Sequence, residues 1–448
     1  MGRNTTSGKP TSKNKPEAIH TLSDDDSHDH DTASIVSSVS ENRSVFSEGG
    51  EGDERTQLEI LEDKLKELID LTTQKSSQGR INSFEGLCKA FSSKYMPDFV
   101  GGRQLTLVDC AERGLKKGRG AEQETAAKLI ALLCLQLGAV ADSEAIFKEQ
   151  KNFLLTLMAD ASVQPGARAQ ICSTVGLCTF LADCELNEIC GVMAALETVY
   201  SASVRSLEGA NISQDVLRMY SAALSSWSLL LTLLPPRHIF EISQSHVRRL
   251  VQLLECSDVD VRIGAGEAIA LIYEGARQHD ENFGFDISTD DDEDEYIQDS
   301  ETRARQSDEM EELCAKLKQL ATDSHKYRAK KDRKQQRSSF RDILRGIEAN
   351  ESPDIRVKFG KESLEIDSWA TKQQYDCFCQ FLGSGMNLHL AQNDLIRDLF
   401  GLGAPLLDDG TGLVKKVKKG ERHYMNMAAF KARSLARGKN RDKRTAVF

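Results

Sequence analysis

Residues 262–275 read RIGAGEAIALIYEG, and this stretch decides the fold. Its small residues Gly264, Ala265 and Gly266 stand among Ile and Leu residues at helical spacing. On an α-helix the small side chains let a neighbouring helix lie close, while the larger ones fill the seam. The stretch therefore predicts a helix that packs tightly against others of the same kind.

Four other segments are similar to this one, which indicates an internal repeat. They are RINSFEGLCKAF from Arg80, TAAKLIALLCLQL from Thr125, RAQICSTVGLCTFL from Arg168 and RMYSAALSSWSLLL from Arg218, the last being the weakest copy. With the stretch at Arg262, successive copies begin 45, 43, 50 and 44 residues apart. A period near 40 to 47 residues is typical of HEAT and armadillo repeats. The sequence thus predicts a HEAT/armadillo-like helical-repeat solenoid, a class that binds partners or acts as a spacer.

Composition separates this domain from the segment before it. Residues 1–56 are rich in Ser, Asp and Gly and hold too few large apolar groups to fold, so we expect a disordered acidic tail. Residues 57–350 are assigned to the repeat domain, with Pro97, Pro165, Pro235 and Pro236 as its main interruptions. Nine acids and no base lie between Asp286 and Glu301, which predicts an acidic disordered loop over 286–306.

The pattern changes after residue 350. IRVKF and SLEID, joined around Gly360, alternate apolar and polar residues as a β-hairpin does. Two helices are predicted after it, Trp369–Leu382 and Asn387–Phe400, and GSG at residues 383–385 is predicted to be a helix-ending turn. We therefore expect a small α+β module over 351–412, followed by a basic helix and tail over 413–448.

The cysteines are expected to be reduced packing residues. The chain begins MGRNTTSGKP, without an apolar signal segment, and no stretch approaches the roughly 18 apolar residues of a membrane span. Cys172, Cys178, Cys184 and Cys190 recur every six residues, which would scatter them around one helix, and no CxxC pair is present to hold zinc. We expect no membrane contact, no metal and a cytoplasmic location, with nuclear entry as a second possibility.

No sequence motif indicates catalysis. GxxxxGK[ST], GxGxxG after a strand, HExxH and GxSxG are all missing from the chain. We therefore expect a protein without enzymatic activity or cofactor.

Positive charge is concentrated in two blocks of an acidic protein. Residues 325–345 carry a net charge of +7 and residues 415–444 carry +10, which leaves -28 on the rest of a chain whose total is -11. Such concentrated positive charge is typical of proteins that bind nucleic acid, because the release of phosphate counterions drives binding whatever the base sequence.

The first block, HKYRAKKDRKQQRSSFRDILRGIE, is predicted to be one helix. Phe340, Ile343, Leu344 and Ile347 form an apolar stripe that can dock on the body. Two series of cations with four-residue spacing follow the helix: Lys326, Lys330 and Lys334, and Arg333, Arg337, Arg341 and Arg345. They can contact phosphates along a nucleic-acid backbone. A solvated charged face or a nuclear-import signal would also explain them.

The second block is predicted to be a slim basic helix with a flexible end. Met425, Ala429, Ala432 and Ala436 form a narrow face, and Gly438 is expected to end the helix. The candidate RNA-binding residues here are Lys415, Lys416, Lys418, Lys419, Arg422, Lys431, Arg433, Arg437, Lys439, Arg441, Lys443 and Arg444. The block has no RNP aromatics, zinc knuckles or GXXG loop, so neither base-specific readout nor sequence-specific DNA contact is expected.

Several segments resemble the interferon-related developmental regulator family. They are CLQLG at residues 134–138, RIGAGEAIAL from Arg262, HKYRAKKDRKQQRSSFRDILR from His325, KFG at residues 358–360, FLGSGMNLHL from Phe381 and ERHYMNMAAFKARSLARGKNRDKR from Glu421. The two long basic motifs make the resemblance specific, and it covers roughly residues 58–444.

The resemblance implies two competing functions. In one, the protein binds the ribosome, its C-terminal helix contacts ribosomal RNA in the messenger-RNA channel, and translation is repressed. In the other, it is a nuclear transcriptional co-regulator that bridges histone-deacetylase corepressor proteins. The basic tail favours the first, because a corepressor bridge does not require it.

Overall fold

Each of the five similar segments lies in an α-helix of its own. The computed structural model describes residues 51–138, 141–182, 184–205, 212–285, 297–322 and 329–404. The helices of the repeat region are α1 (Glu51–Leu71), α2 (Ser77–Ser93), α3 (Pro97–Gly101), α4 (Gln104–Lys117), α5 (Ala121–Leu137), α6 (Ala141–Ala159), α7 (Pro165–Leu181), α8 (Leu186–Arg205), α9 (Gln214–Leu231), α10 (Pro236–Leu253), α11 (Val259–Arg277), α12 (Ile297–Thr322) and α13 (Lys330–Ala349). They are followed by β1 (Ile355–Phe359), β2 (Glu362–Ile366), α14 (Trp369–Leu382), a 3-10 turn (Gly383–Gly385), α15 (Met386–Gln392) and α16 (Asp394–Leu399).

In the described part of the chain, the long helices up to α13 pack as six consecutive pairs. The second helix of each pair contacts the second helix of the next pair, and together they form a continuous row. This inner row consists of α2, α5, α7, α9, α11 and α13. The first five carry the predicted repeat segments, which confirms the helical-repeat solenoid. The sixth, α13, carries the first basic block, so that block is also a member of the repeat.

Small residues set the close spacing of the inner row. A Cβ atom placed on Gly176 of α7 would lie 2.5 Å from the Cβ of Ser226 on α9. One placed on Gly266 of α11 would lie 2.8 Å from the Cδ1 of Ile343 on α13. Neither distance is possible between carbon atoms in contact, so glycine permits the packing at both positions.

The prolines begin helices rather than break them. Pro97, Pro165 and Pro236 each occupy the first turn of a helix, where the missing N–H would have no partner, and Pro235 is the cap that precedes α10. Two helices begin earlier in the structure than the sequence predicted. Helix α1 begins at Glu51, inside the segment assigned to the tail, and α12 begins at Ile297, so a loop over residues 297–306 is wrong. Residues 286–296 lie outside the described part.

The C-terminal module begins with the predicted hairpin. Strands β1 and β2 pair antiparallel, with Val357 opposite Leu364, and Gly360 has φ 52° in the two-residue connection. Helix α14 has the predicted bounds, and GSG is the turn that ends it. The single helix predicted over 387–400 is instead two, because the Asn393 side chain accepts a hydrogen bond from the Ile396 N–H and thereby caps α16.

Helix α14 is docked on the inner row and contacts α2, α5, α9 and α11. Its first turn is fixed by Glu274 of α11, whose carboxylate accepts hydrogen bonds from the backbone N–H groups of Trp369 at 2.8 Å and Ala370 at 3.0 Å. Further along, the Phe378 ring meets Phe180 of α7 edge to face, with ring centroids 6.2 Å apart. The module and the repeats therefore share one hydrophobic core.

Most of the cysteines are packing residues, as expected. Eight of the eleven are buried, and burial raises the pKa of both Cys88 and Cys172 to about 12. The four regularly spaced cysteines do not share a helix, since two lie on α7, Cys184 lies in the linker and Cys190 lies on α8. Within the described ranges, no group of three or more His, Cys, Asp or Glu side chains could hold a metal ion, and no helix is long and apolar enough to cross a membrane.

Candidate nucleic-acid interface on helix α13

The first basic block forms a helix that starts later than predicted. Helix α13 begins at Lys330, after Ala329, and ends at Ala349. The residue that caps its end, Asn350, adopts the left-handed conformation with φ 54° and donates its N–H to the Arg345 carbonyl. Ala329 is not helical, so the helix predicted from His325 is not continuous through this residue. Residues 323–328, which include Lys326, lie outside the described part.

The predicted apolar stripe docks α13 on the body. The side chains of Phe340, Ile343 and Ile347 are fully buried, and Leu344 packs at the edge of the same core. Burying each of the three stabilises the helix by about 2 kcal/mol. The cationic side of α13 is thus presented on an immobile support.

A buried arginine fixes the N-terminal half of α13. Arg262 on α11 donates to the side-chain oxygen of Gln336 on α13 at 2.6 Å, and Gln336 donates to the Leu320 carbonyl of α12 at 3.2 Å. Arg262 also donates to the Cys256 and Ser257 carbonyls. This network connects α11, α12 and α13 through hydrogen bonds inside the protein.

A second buried arginine fixes the C-terminal end of α13. Arg277 donates to the carbonyls of Gly346 at 2.9 Å and Ile347 at 2.6 Å, which belong to the last turn and have no partner within the helix. Its guanidinium also lies 4.2 Å from the centre of the Phe285 ring. Burial lowers the pKa of Arg277, and the negative end of the helix dipole and the aromatic faces stabilise its charge.

The cations of α13 form one stripe rather than two ridges. At about 100° per residue, the two predicted series interleave within an arc of roughly 120°. The cationic stripe, as it is called below, consists of Lys330, Arg333, Lys334, Arg337, Arg341 and Arg345. Lys330, Lys334, Arg341 and Arg345 are exposed, whereas Arg333 and Arg337 are half-buried.

Few counter-charges pair with the stripe in the described part of the chain. Among the described residues, its one ion pair joins Arg345 to Asp342 at 3.9 Å, and both side chains are more than half exposed. An exposed pair of this kind contributes little stability and is easily exchanged for another anion. The stripe can therefore accept phosphate groups without first breaking strong internal pairs.

Acidic groups flank the start of the stripe. Asp260 lies near Asp258 and Asp332, and its pKa is raised by burial and by the charges of these two neighbours. Carboxylates on this side repel a polyanion, while the stripe attracts it. The local field thus confines a nucleic-acid contact to one side of α13.

The start of the second basic block is fixed at the edge of the described structure. Arg397 of α16 is buried, pairs with Glu362 of β2 at 3.0 Å, and donates to the carbonyls of Gly403 at 2.8 Å and Ala404 at 3.0 Å. The second block, Lys415 to Arg444, lies outside the described residues, so its twelve candidate cations remain predictions. The last described residue, Ala404, is held by Arg397 through its carbonyl.

Fold and site together define a helical-repeat protein that carries a rigidly mounted cationic helix. The family model described as interferon-related developmental regulator matches residues 32–348, and the one described as interferon-related protein conserved region matches residues 393–445. The chain belongs to the interferon-related developmental regulator family, as its motifs indicated.

Individual relatives agree with the family assignment. Mouse interferon-related developmental regulator 2 is 41% identical over 404 residues, which cover 89% of this chain and 87% of that protein. Human interferon-related developmental regulator 1 is 38% identical over 433 residues, covering 96% and 91%. An uncharacterised protein of Schizosaccharomyces pombe is 25% identical over 394 residues, covering 85% and 82%.

The crystal structure of an engineered protein aligns with 62% of this chain and 97% of its own at 15% identity, with a TM-score of 0.36.

Proposed function

We propose that this protein is a non-enzymatic, ribosome-binding repressor of translation that acts mainly in the cytoplasm. The observation that carries the proposal is the cationic stripe of α13, a row of Lys and Arg with one weak ion pair among the described residues, on a chain with a net charge of -11. The ribosome is the partner because its RNA presents phosphates over a large folded surface.

The mounting of α13 supports binding to a folded RNA. Two buried arginines and three buried apolar side chains hold the helix before any partner arrives. Little backbone entropy is then lost on binding, so more of the electrostatic attraction appears as affinity. A mobile basic tail would lack this advantage and would bind more weakly for the same charge.

The second basic block supports a contact in two parts. In this proposal the stripe holds the body against ribosomal RNA, while the basic segment after residue 413 contacts RNA in the messenger-RNA channel. The two sites are joined through an anchored exit at Ala404, so binding at one raises the effective concentration of the other.

Co-sedimentation with ribosomes tests the proposal. The stripe variant replaces four cations with glutamine: Lys330→Gln, Lys334→Gln, Arg337→Gln and Arg341→Gln. A matched control loses the same charge at four exposed lysines elsewhere on the solenoid: Lys75→Gln, Lys89→Gln, Lys117→Gln and Lys148→Gln. A third variant ends before Arg422.

We expect the stripe variant and the shortened chain to leave the ribosomal pellet at lower salt than the control variant does. Equal retention of all four proteins would refute the proposal. A different pair of results would favour the nuclear co-regulator function. In that case none of the four proteins sediments with ribosomes, and nuclear import is lost in the stripe variant.

A further inference from the structure

A cysteine, a histidine and a glutamate meet between α8 and α10, the first helices of two adjacent pairs. Cys190 lies near the start of α8, and His238 lies in the first turn of α10. The Sγ atom of Cys190 is 3.6 Å from Nε2 of His238. On the other side of the imidazole ring, Nδ1 of His238 is 3.7 Å from Oε2 of Glu241. The three groups thus form a relay from thiol to imidazole to carboxylate.

This order of groups suits the activation of a thiol. The thiolate is the reactive form of cysteine, and an imidazole in contact with it can take up the thiol proton. A carboxylate at the far ring nitrogen orients the imidazole and stabilises its protonated form. Glu241 also accepts a hydrogen bond from Arg237 at 2.9 Å through its other oxygen, which holds the carboxylate in place without blocking the contact with His238.

Access distinguishes Cys190 from the buried thiols. Cys190 is half-buried, and the His238 side chain beside it is 32% exposed. Cys134 and Cys178 lie 3.8 Å apart but are fully buried. The hydrogen bond with the Cys134 thiol and burial raise the pKa of Cys178, which keeps it protonated. Chemical reactivity is therefore expected at Cys190 and not at that pair.

We propose that Cys190 is a base-activated thiol and a site of oxidation by hydroperoxides. His238 accepts the thiol proton, and the thiolate attacks one oxygen of hydrogen peroxide. The sulfur–oxygen bond forms as the oxygen–oxygen bond breaks, giving a sulfenic acid and hydroxide. The imidazolium of His238 then returns the proton to hydroxide, which leaves as water. Sulfur is oxidised by two electrons and the peroxide is reduced.

The full chain tests this proposal with two reagents. Iodoacetamide measures the reactivity of each cysteine, read from the alkylated peptides by mass spectrometry over time. Hydrogen peroxide with dimedone, which traps sulfenic acids, measures oxidation directly. Cys379 is the internal reference, because it is also half-buried but lies next to the Tyr375 hydroxyl instead of an imidazole. Cys88 and Cys172, both buried, report on whether the fold is intact.

An ordinary thiol is only about 3 per cent ionised at pH 7, so activation by a base leaves room for a rate increase of tenfold or more. We expect Cys190 to react roughly tenfold faster than Cys379, and His238→Gln to remove this difference while the rate at Cys379 stays the same. A Cys190 that reacts no faster than Cys379 in the unaltered protein overturns the proposal. So does a fast Cys190 whose rate does not change in a folded His238→Gln variant. If His238→Gln exposes the buried thiols, Glu241→Gln at the exposed carboxylate takes its place, and an unchanged Cys190 rate in that variant overturns the proposal.

Discussion

Acidification should destabilise this protein through one buried imidazole, that of His389 on α15. Its side chain is fully buried between α15 and the end of α2, with Nδ1 3.2 Å from the Asn393 amide nitrogen and its ring 6.0 Å from that of Tyr95. Burial lowers the pKa of His389 to about 4, although the backbone of Phe91 and Ser92 opposes the shift.

The sign and size of the effect follow from linkage. Below about pH 6.5 the unfolded chain takes up a proton at this histidine, while the folded protein does not until about pH 4. The unfolded state therefore binds more protons across this window, and stability falls as the pH falls. The full effect is about 3 kcal/mol, and about 2 kcal/mol of it should be lost between roughly pH 7.5 and pH 5.

Urea unfolding followed by circular dichroism measures this loss in the unaltered protein and in His389→Gln, whose side chain is polar but does not titrate. Burial raises the pKa values of Glu267 and Glu274, so these groups act in the opposite direction. They are present in both proteins, and their effect cancels in the difference. If both proteins lose the same free energy of unfolding on acidification, the assignment to His389 is refuted.

Three further predictions concern the mounting of α13, the cationic stripe and the contact between the module and the repeats. Arg277→Met should lower the free energy of unfolding in urea by at least about 3 kcal/mol, because it leaves two buried carbonyls of α13 without donors; a loss below about 1 kcal/mol would contradict this. In fluorescence titrations with a short RNA duplex, the stripe variant should reduce the slope of log affinity against log salt by about 3, and the four-lysine control should change it by less than about 1. Gly385→Ala would place a Cβ into the Ser92 carbonyl oxygen and should cost about 2 kcal/mol or more in urea unfolding. By contrast, Gly264→Ala, which meets only a Leu224 methyl at 3.4 Å, should be neutral or stabilising.

The repeat could be predicted because its signal is local. Small residues beside Ile and Leu at helical spacing describe one helix and its neighbours, and the same pattern recurs near the same interval. The sixth copy, α13, was not predicted as a repeat for two reasons. An insertion separates it from α11, and the exposed face of α13 consists mostly of charged residues. Its apolar stripe of Phe340, Ile343 and Ile347 was visible, but the distance along the chain no longer matched the period.

Other features were missed because they depend on contacts between distant residues. Arg262 and Arg277 look like ordinary surface charges in the sequence, and only the fold shows that each is surrounded by carbonyl groups. Cys190 and His238 are 48 residues apart and meet because adjacent repeats bring equivalent positions together. The break at Asn393 could have been found, since Asn before Asp-Leu-Ile-Arg is a common start of a helix.

Helix α14 also determines how many repeats this protein can have. In most solenoids each repeat contacts only its neighbours, so copies can be gained or lost and the array can unfold from one end. Here a single helix touches α2, α5, α9 and α11, and its Phe378 reaches α7. An inserted or deleted repeat would shift every contact beyond it out of register. Duplicating or deleting a repeat should therefore destabilise the folded protein. For the same reason, the repeats should unfold together as one cooperative unit.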